Sequence, residues 1–374
     1  MTVSATYICP VRGLFTQEPP EPERAFQASK VALDFGITRF MIPVLEEPLH
    51  SSKKLKNNYL DGIIQALDSI DDSGSTAFLI TPARRILGLD WVPPYLVKAI
   101  KDPQGVPVVL ENRIRRLRPY NWWKDISVFQ KRVSIFRELC VAFSGHPALK
   151  GWIVMDRELD WYRPDFQAAD LMLKSILAEI REKDETIPIH IGLSWAELLE
   201  PEVALKLTKQ VDGIRLSGLD QINIALRSSG DLNEELLRAA YLGTIAEWIF
   251  GLPYEIEVGW DSIDWGKDPE RIFETIRTLS EVGLMHMNWL SLMDPEPGLL
   301  DKPPWVNNPD LGKIGLFDWG LEPKAHTEAW VGGISHAQPS EDSTNFIDLS
   351  IDEYSLDPHM HLPRLWEHFR DIYT

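Results

Sequence analysis

Cysteine is scarce in this sequence: the 374 residues include only Cys9 and Cys140. Two isolated thiols provide no disulfide framework, and neither has metal-binding neighbours, so we interpret both as buried thiols. No apolar run approaches the roughly 18 residues that a membrane helix requires. The N-terminal residues also lack the basic start and apolar core of a signal peptide. These absences predict a cytoplasmic protein, or a mature form, with no membrane partner.

Positive charge is also in short supply, with 38 Lys and Arg against 56 Asp and Glu, a net charge of −18. Such an acidic surface argues against nucleic acid or an anionic membrane as the main partner but leaves neutral sugars open. Histidines are scattered, and the single His-x-His, His359-Met-His361, lies near the C-terminus. We therefore predict no metal site and no other cofactor.

Eight short, mostly apolar segments are typical of buried strands. They are residues 7–12, 38–44, 76–80, 149–155, 187–193, 213–216, 254–258 and 284–292. Most of them are followed by a predicted helix, and these helices include residues 126–143, 196–210 and 268–282. Eight such units predict the α/β class and a (β/α)8 barrel. A doubly wound sheet is the alternative, but no Gly-x-Gly-x-x-Gly follows the first strand.

The chain is expected to divide into a barrel domain, residues 1–330, and a C-terminal extension, residues 331–374, that packs on it. Residues 82–127 are longer than an ordinary connection and predict an irregular insertion after the third strand. This insertion either packs on the barrel rim or acts as a lid that forms one wall of a cleft.

Carboxylates end two of the predicted strands. In a barrel of this type the active site lies at the C-terminal ends of the strands. The fourth strand ends in Asp156-Arg157-Glu158 and the seventh in Glu257-Val-Gly-Trp260. These groups would face each other across the barrel mouth. A retaining glycosidase needs two carboxyl groups about 5–5.5 Å apart, one as nucleophile and the other as a protonated acid.

Substrate contacts are expected from residues at or near the strand ends. Flat indoles stack well against sugar rings but also fill cores. We favour the stacking role for Trp260 and Trp289 and leave it open for Trp195. The full expected substrate-binding set is Trp289, Trp260, Trp195, Asp294, Arg39 and Trp123.

Two charged neighbours of the proposed nucleophile allow other interpretations. Arg157 could pair with Glu257 in a purely structural ion pair at the barrel mouth. Glu255 shares the strand parity of Glu257 and points the same way. It lies deeper, however, and would need a cation such as Arg39 or Arg215 beside it.

Several segments follow one another as in a known superfamily. They are residues 35–44, Gly145-His-Pro to Met155, Pro253-Tyr-Glu-Ile-Glu-Val-Gly259, Asn288-Trp289 with Asp294, and residues 315–324. Their order resembles the second, fourth, seventh and eighth strands and the closing segment of clan-A retaining glycoside hydrolases, the cellulase-like family five above all. The resemblance covers roughly residues 5–330. It implies a (β/α)8 barrel that cleaves a β-linked glycan or glycoside, with Glu257 as nucleophile and Trp289 as the floor of the sugar site.

The acid position departs from the family pattern. Aligned without a gap, the asparagine of the family falls on Asp156 and its acid/base glutamate on Arg157, so Glu158 stands one residue late. A bulge at the strand end would bring Glu158 inward. Otherwise Asp156 is the inward acid, or there is none. Met41 also replaces the arginine of the second strand.

Three hypotheses follow. The leading one is a glycosidase with Glu257 as nucleophile and Glu158, or failing it Asp156, as acid/base. The first rival is a non-catalytic relative that binds carbohydrate or a protein, with Arg157 in the acid position. The second rival is a different barrel enzyme, such as a lyase or isomerase. The lack of a Gly-rich phosphate loop after the seventh and eighth strands disfavours a phosphosugar substrate.

Overall fold

Eight parallel strands form a closed barrel in the computed structural model of the chain, which confirms the predicted fold class. The structure describes residues 2–10, 21–110, 113–160, 162–218, 232–259, 286–303, 305–307, 309–335 and 344–373, with positions 270, 273 and 276. The strands among these residues are β1 Thr2–Thr6, β2 Arg39–Pro43, β3 Thr76–Thr81, β4 Arg85–Ile86, β5 Leu89–Trp91, β6 Val97–Leu110, β7 Arg113–Pro119, β8 Leu149–Val154, β9 Ile189–Ser194, β10 Gly213–Ser217, β11 Tyr254–Val258 and β12 His286–Trp289. The order around the barrel is β1-β12-β11-β10-β9-β8-β3-β2.

Helices follow most of the barrel strands. Those in the described part of the chain are α1 Pro22–Asp34, α2 Lys53–Asp72, α3 Ile126–Phe143, α4 Phe166–Lys183, α5 Glu202–Leu207, α6 Leu232–Phe250, α7 Ala325–Ser335, α8 Ile351–Leu356 and α9 Pro358–Tyr373. Acceptor side chains fix two of the N-termini: Asp125 accepts the backbone N–H of Ser127 at α3, and Asp165 that of Ala168 at α4. Such caps satisfy backbone donors that have no partner inside the helix.

The first strand was predicted in the wrong place. It was expected at residues 7–12, but β1 is the more polar segment Thr2–Thr6. Its inward residues face polar partners: Ser4 donates to the carboxyl of Glu255, and Asn288 Nδ2 donates to Thr6 Oγ1 over 2.8 Å. The barrel interior is thus polar at this level, and an apolar pattern was the wrong signal for this strand.

Residues 82–127 are more regular than expected. They contain β4, β5, β6 and β7, which form a separate four-stranded sheet. Val108, Val109 and Leu117 are buried in it and join the core. The pairing of β6 with β7 shifts register twice, and such bulges blur the alternation of residues on which strand prediction depends. We call this element the inserted sheet.

Other boundaries differ in smaller ways. The helix predicted over residues 196–210 is divided into a 3-10 turn, Trp195–Leu198, then α5 and a further turn, Thr208–Gln210, with Pro201 at the break. Proline lacks the N–H that a continuous helix would use. The eighth barrel strand ends at Trp289, three residues before the predicted end at residue 292. The helix expected at residues 268–282 lies outside the described residues, apart from three isolated positions.

The C-terminal helices pack on α6 and on the turn after β9. Tyr241 of α6 donates its hydroxyl to the backbone oxygen of Leu362 and contacts the rings of Trp366 and Phe369. Tyr354 of α8 donates to the backbone oxygen of Leu198 over 2.8 Å. Residue 330, where the barrel was expected to end, lies inside α7.

Gly151 provides room for an inward-facing ring in the barrel. A Cβ added there would lie 2.0 Å from the ring of Phe78. Gly151→Ala is therefore expected to lower the free energy of unfolding by about 1–3 kcal/mol through overpacking. Urea unfolding measures the change. Gly298→Ala is the control, since a Cβ there meets nothing within 4 Å. Equal stability of the two variants would show that Phe78 moves aside at no cost.

Candidate active site

The chain turns sharply where β8 ends. Met155 and Arg157 both have φ of 53°, in the left-handed region that non-glycine residues rarely adopt. Such strain, about 1–3 kcal/mol per residue, tends to accumulate at functional sites. Gly192 of β9 makes the turn possible, because a Cβ there would lie 2.6 Å from the Cα of Asp156. The turn directs Asp156 toward β10 in the barrel interior.

Arg215 of β10 joins Asp156 to Glu257. Its Nη1 contacts Oδ1 of Asp156 at 2.8 Å, and its Nη2 pairs with Oε2 of Glu257. The three residues are at most 4% exposed. Burial raises the pKa of Asp156 against the lowering effect of Arg215 and Arg157. The carboxyl groups of Asp156 and Glu257 therefore contact the same guanidinium, one at each terminal nitrogen.

Glu158 faces a different set of partners. Its Oε1 accepts from Nε of Arg84 at 2.8 Å and from Arg132, which also donates to Oε2 over 2.8 Å. Arg84 and Arg132 in turn contact Glu46, which accepts a further hydrogen bond from Tyr95. This ion network joins the end of β2, the loop after β3, the inserted sheet and α3 to the end of β8. The turn after β8 therefore brings Asp156, rather than Glu158, beside Arg215.

The electrostatics of Glu46 follow from that network. Burial alone would raise its pKa, but the charges of Arg132 and Arg84 outweigh burial and hold the pKa well below its ordinary value. Next to Glu158, Trp122 and Arg84 line a cavity of only about 10 Å³. That is space for about one water molecule. A sugar ring does not fit against Glu158 from this cavity.

Arg157, which occupies the family's acid position, extends across the mouth. Its Nε donates to Oδ2 of Asp160 at 2.6 Å, and Asp160 also accepts from Ser194 at 2.6 Å. A Cβ added at Gly218, just after β10, would lie 2.7 Å from the guanidinium Nη1 of Arg157. Arg157 thus lies above the strand ends of β8, β9 and β10.

The predicted aromatic contacts are mostly covered. Trp289 is fully buried, donates its indole N–H to the backbone oxygen of Ile314 over 2.8 Å and stacks on His326. Trp195 and Trp123 are each 9% exposed. Trp123 stacks on its neighbour Trp122, with 4.0 Å between ring centroids. Trp260 lies outside the described residues.

The other two expected binding residues lie in separate surroundings. Asp294 is paired with Nζ of Lys324 at 2.6 Å and accepts the backbone N–H of Gly315 at 2.9 Å. Arg39 begins β2 and lies over the Phe78 ring, 4.9 Å from its centroid. Burial raises the pKa of Glu255 overall, although the charges of Arg39 and Arg215 act to lower it. Arg39 thus belongs to the deeper layer around Glu255, while Glu257 contacts Arg215 at the mouth.

Sequence analysis did not find the arginines that organise the site. Arg215 was considered only as a partner for Glu255, and Arg132 was not considered at all. Arg132 occupies the helical spacing of Val128, Ile135 and Leu139, all buried. An arginine within an apolar stripe signals a buried ion pair and could have been noticed. No comparable pattern marks Arg84.

The described residues contain no group of three or more His, Cys, Asp and Glu side chains placed to hold a metal ion. None of the helices in the described ranges has the length and apolarity that crossing a membrane requires.

Solved structures with similar architecture are glycoside hydrolases. A GH5_18 protein from Streptomyces cattleya in complex with GlcNAc superimposes with a TM-score of 0.71 at 13% identity, covering 91% of this chain and 82% of that one. A GH5_18 variant from Bifidobacterium longum subsp. longum in complex with Manβ1-4GlcNAc gives 0.69 at 15% identity, covering 91% and 80%. The exo-β-1,4-mannosidase Op5Man5 from Opitutaceae bacterium strain TAV5 gives 0.67 at 15% identity. The chain covers 59% of that mannosidase.

The chain has the barrel fold of clan-A glycoside hydrolases. This confirms the resemblance found in the sequence at the level of the fold. Within the clan-A fold, Glu257 lies at the end of the seventh barrel strand, β11, and Asp156 follows the fourth, β8.

Sequence comparison adds little. No family model matches the chain. One curated relative, the GTPase Era of Agrobacterium fabrum (strain C58 / ATCC 33970), is 26% identical over 192 residues. That match covers 48% of this chain and 59% of the GTPase. The sequence contains no Gly-x-x-x-x-Gly-Lys-Ser/Thr segment, the loop that holds nucleotide phosphates in P-loop enzymes.

Substitution of Glu46 tests how much the ion network contributes to the free energy of unfolding. Glu46→Gln is expected to lower the free energy of unfolding by about 3–5 kcal/mol at neutral pH, because two buried arginines lose a charged partner. The folded-state pKa lies below the ordinary 4.5, so the contribution is complete above that pH and is lost as the pH falls below it. Wild type and variant should therefore converge in acid, as followed by urea unfolding at a series of pH values.

The control for this comparison is Glu138→Gln, which removes a carboxyl that is 43% exposed and paired with Lys56 at 2.7 Å. Its effect should stay below about 1 kcal/mol. A Glu46→Gln difference that does not shrink in acid would contradict the proposed charge balance.

Proposed function

We propose that this protein is a retaining glycosidase acting on β-linked glycosides, with Glu257 as nucleophile and Asp156 as acid/base. The observation that carries the proposal is the row Asp156–Arg215–Glu257 at the C-terminal ends of the barrel strands. The clan-A fold supports it, since active sites of such barrels lie at this face.

The states of the two carboxyl groups fit these roles. Burial raises the pKa of Asp156, which is the direction that a general acid requires. Glu257 is paired with Arg215, which holds its carboxylate in one orientation. Glu158 is less suited to the acid role, because both its oxygens accept bonds from arginines.

The reaction proceeds in two displacements. Glu257 attacks the anomeric carbon, the glycosidic C–O bond breaks, and the leaving oxygen takes the proton of Asp156. Water then attacks the glycosyl-enzyme, Asp156 accepts its proton, and Glu257 leaves as the carboxylate. The ligands of the structural neighbours, GlcNAc and Manβ1-4GlcNAc, make β-mannosides the first substrate class to test.

Covalent labelling tests the nucleophile. Incubation with activated 2-deoxy-2-fluoro β-mannosides and β-glucosides should give one adduct. The fluorine slows both displacements, and the activated leaving group speeds only the first, so the glycosyl-enzyme accumulates. Peptide mass spectrometry should locate the adduct at Glu257. Glu257→Gln should give none. Glu255→Gln is the matched control, two residues earlier on β11, and should label normally.

The acid role of Asp156 has a separate signature. Asp156→Asn should lower kcat/KM by about 10²–10⁴-fold for glycosides with a poor leaving group, which need the proton. Glycosides with an activated phenol as leaving group should be affected much less in the first step. Steady-state kinetics with both substrate types measure the contrast, and thermal unfolding verifies that the variant is folded. Equal losses for both substrates would remove Asp156 from the acid role.

A non-catalytic carbohydrate-binding barrel is the second candidate. It is favoured by the ion pairs of the site, in which an arginine contacts each of the three carboxylates. Arg215 contacts Asp156 and Glu257, and Arg84 and Arg132 contact Glu158. Under this alternative the fluorosugars leave no adduct at Glu257, while sugars still bind.

A further inference from the structure

A second cavity lies beside the barrel mouth. It has a volume of about 410 Å³, within the range of small-molecule sites. One wall is the inserted sheet, with Arg85, Asp90 and Val106. The opposite wall consists of the loop after β8 and the turn after β9. Asp156, Arg215 and Glu257 do not line it.

Glu197 is the most unusual group of that opposite wall. It lies in the 3-10 turn after β9 and is 1% exposed, although it lines the cavity. Nη1 of Arg163 contacts it at 3.3 Å. Burial, Asp160 and Glu200 raise the pKa of Glu197 to about 7, against the lowering effect of Arg163. Glu197 therefore carries a proton for much of the neutral range and can donate a hydrogen bond.

The charges around Glu197 are already paired with one another. Arg157 contacts Asp160 at 2.6 Å, and Arg163 contacts Glu200 at 2.5 Å. On the inserted sheet, Arg85 lies 3.6 Å from Asp90. A charged ligand would have to disrupt one of these pairs. A hydroxyl group can donate to a carboxylate and accept from a guanidinium while the pairs stay intact.

The turn that carries Glu197 is fixed from behind. Tyr354 of α8 donates its hydroxyl to the backbone oxygen of Leu198, the next residue. Burial raises the pKa of Tyr354, so this contact stays neutral and constant across the neutral range. The titratable and charged groups around Glu197 are Arg163, Asp160, Glu200 and Arg157 on its own wall of the cavity, with Arg85 and Asp90 on the inserted sheet opposite.

We propose that this cavity is a second site, which binds a neutral sugar, and that protonated Glu197 donates a hydrogen bond to a ligand oxygen. The site is separate from the row Asp156–Arg215–Glu257, and its occupation does not depend on whether that row is catalytic. Affinity for a neutral sugar is then higher below pH 7 than above it, because only the protonated form of Glu197 donates.

Calorimetric titration of the full chain tests the proposal. The probes are glucose, mannose and N-acetylglucosamine, each measured well below and well above pH 7. For the sugar that binds, wild-type affinity should fall by up to about tenfold across this range, the value of one hydrogen bond. Glu197→Gln, which donates at every pH, should keep the low-pH affinity throughout. Glu202→Gln, exposed on α5, should behave like wild type.

Two further measurements separate this cavity from the barrel mouth. Val106→Trp fills the cavity from a side chain that is 36% exposed on the inserted sheet, so it should abolish binding without unfolding the chain. Protein labelled with a fluorosugar at Glu257, or the Glu257→Gln variant if no label forms, should still bind. Absence of binding by all three probes, binding that survives Val106→Trp, or an unchanged pH dependence in Glu197→Gln would each overturn the proposal.

Discussion

The buried ion network of Glu46, Arg84, Glu158 and Arg132 is the interaction on which the rest of the mouth depends. Burying four charges is costly unless each has a partner, and here each carboxylate contacts both arginines. The arginines come from the loop after β3 and from α3, and the carboxylates from the ends of β2 and β8. Folding of the network therefore positions the inserted sheet and α3 against the barrel at the same time.

The network also decides which acid faces the barrel axis. Since Glu158 is held by Arg84 and Arg132, the chain has to turn within the three residues between the end of β8 and Glu158. It does so through the left-handed conformations of Met155 and Arg157. The residue between them, Asp156, is left beside Arg215. Ion pairing outside the barrel thus determines the chemistry that the barrel interior can offer.

Much of the fold could be predicted from the sequence, because it is recorded in apolar periodicity. The helix over residues 126–143 and the strand over residues 254–258 were predicted with the bounds observed. The strand β1 was missed because its inward residues are polar and find partners on distant strands. The inserted sheet was missed because its register shifts interrupt the alternation.

The site was harder to predict than the fold. Glu257 could be chosen as a candidate because a carboxylate on an apolar strand has no local explanation. Arg215 and Arg84 could not, since each acquires its role only from residues far away in the chain. The choice between Asp156 and Glu158 depended on one bend, and backbone torsions of that kind are set by long-range contacts that a single sequence does not display.

Gly192 has a wider consequence. Because Gly192 has no side chain, the backbone of Asp156 can pack directly against it. The residue at position 192 and the backbone at position 156 therefore compete for the same space. Any larger residue at position 192 would displace the backbone of Asp156. The bend at the end of β8 therefore restricts a position on the neighbouring strand to glycine.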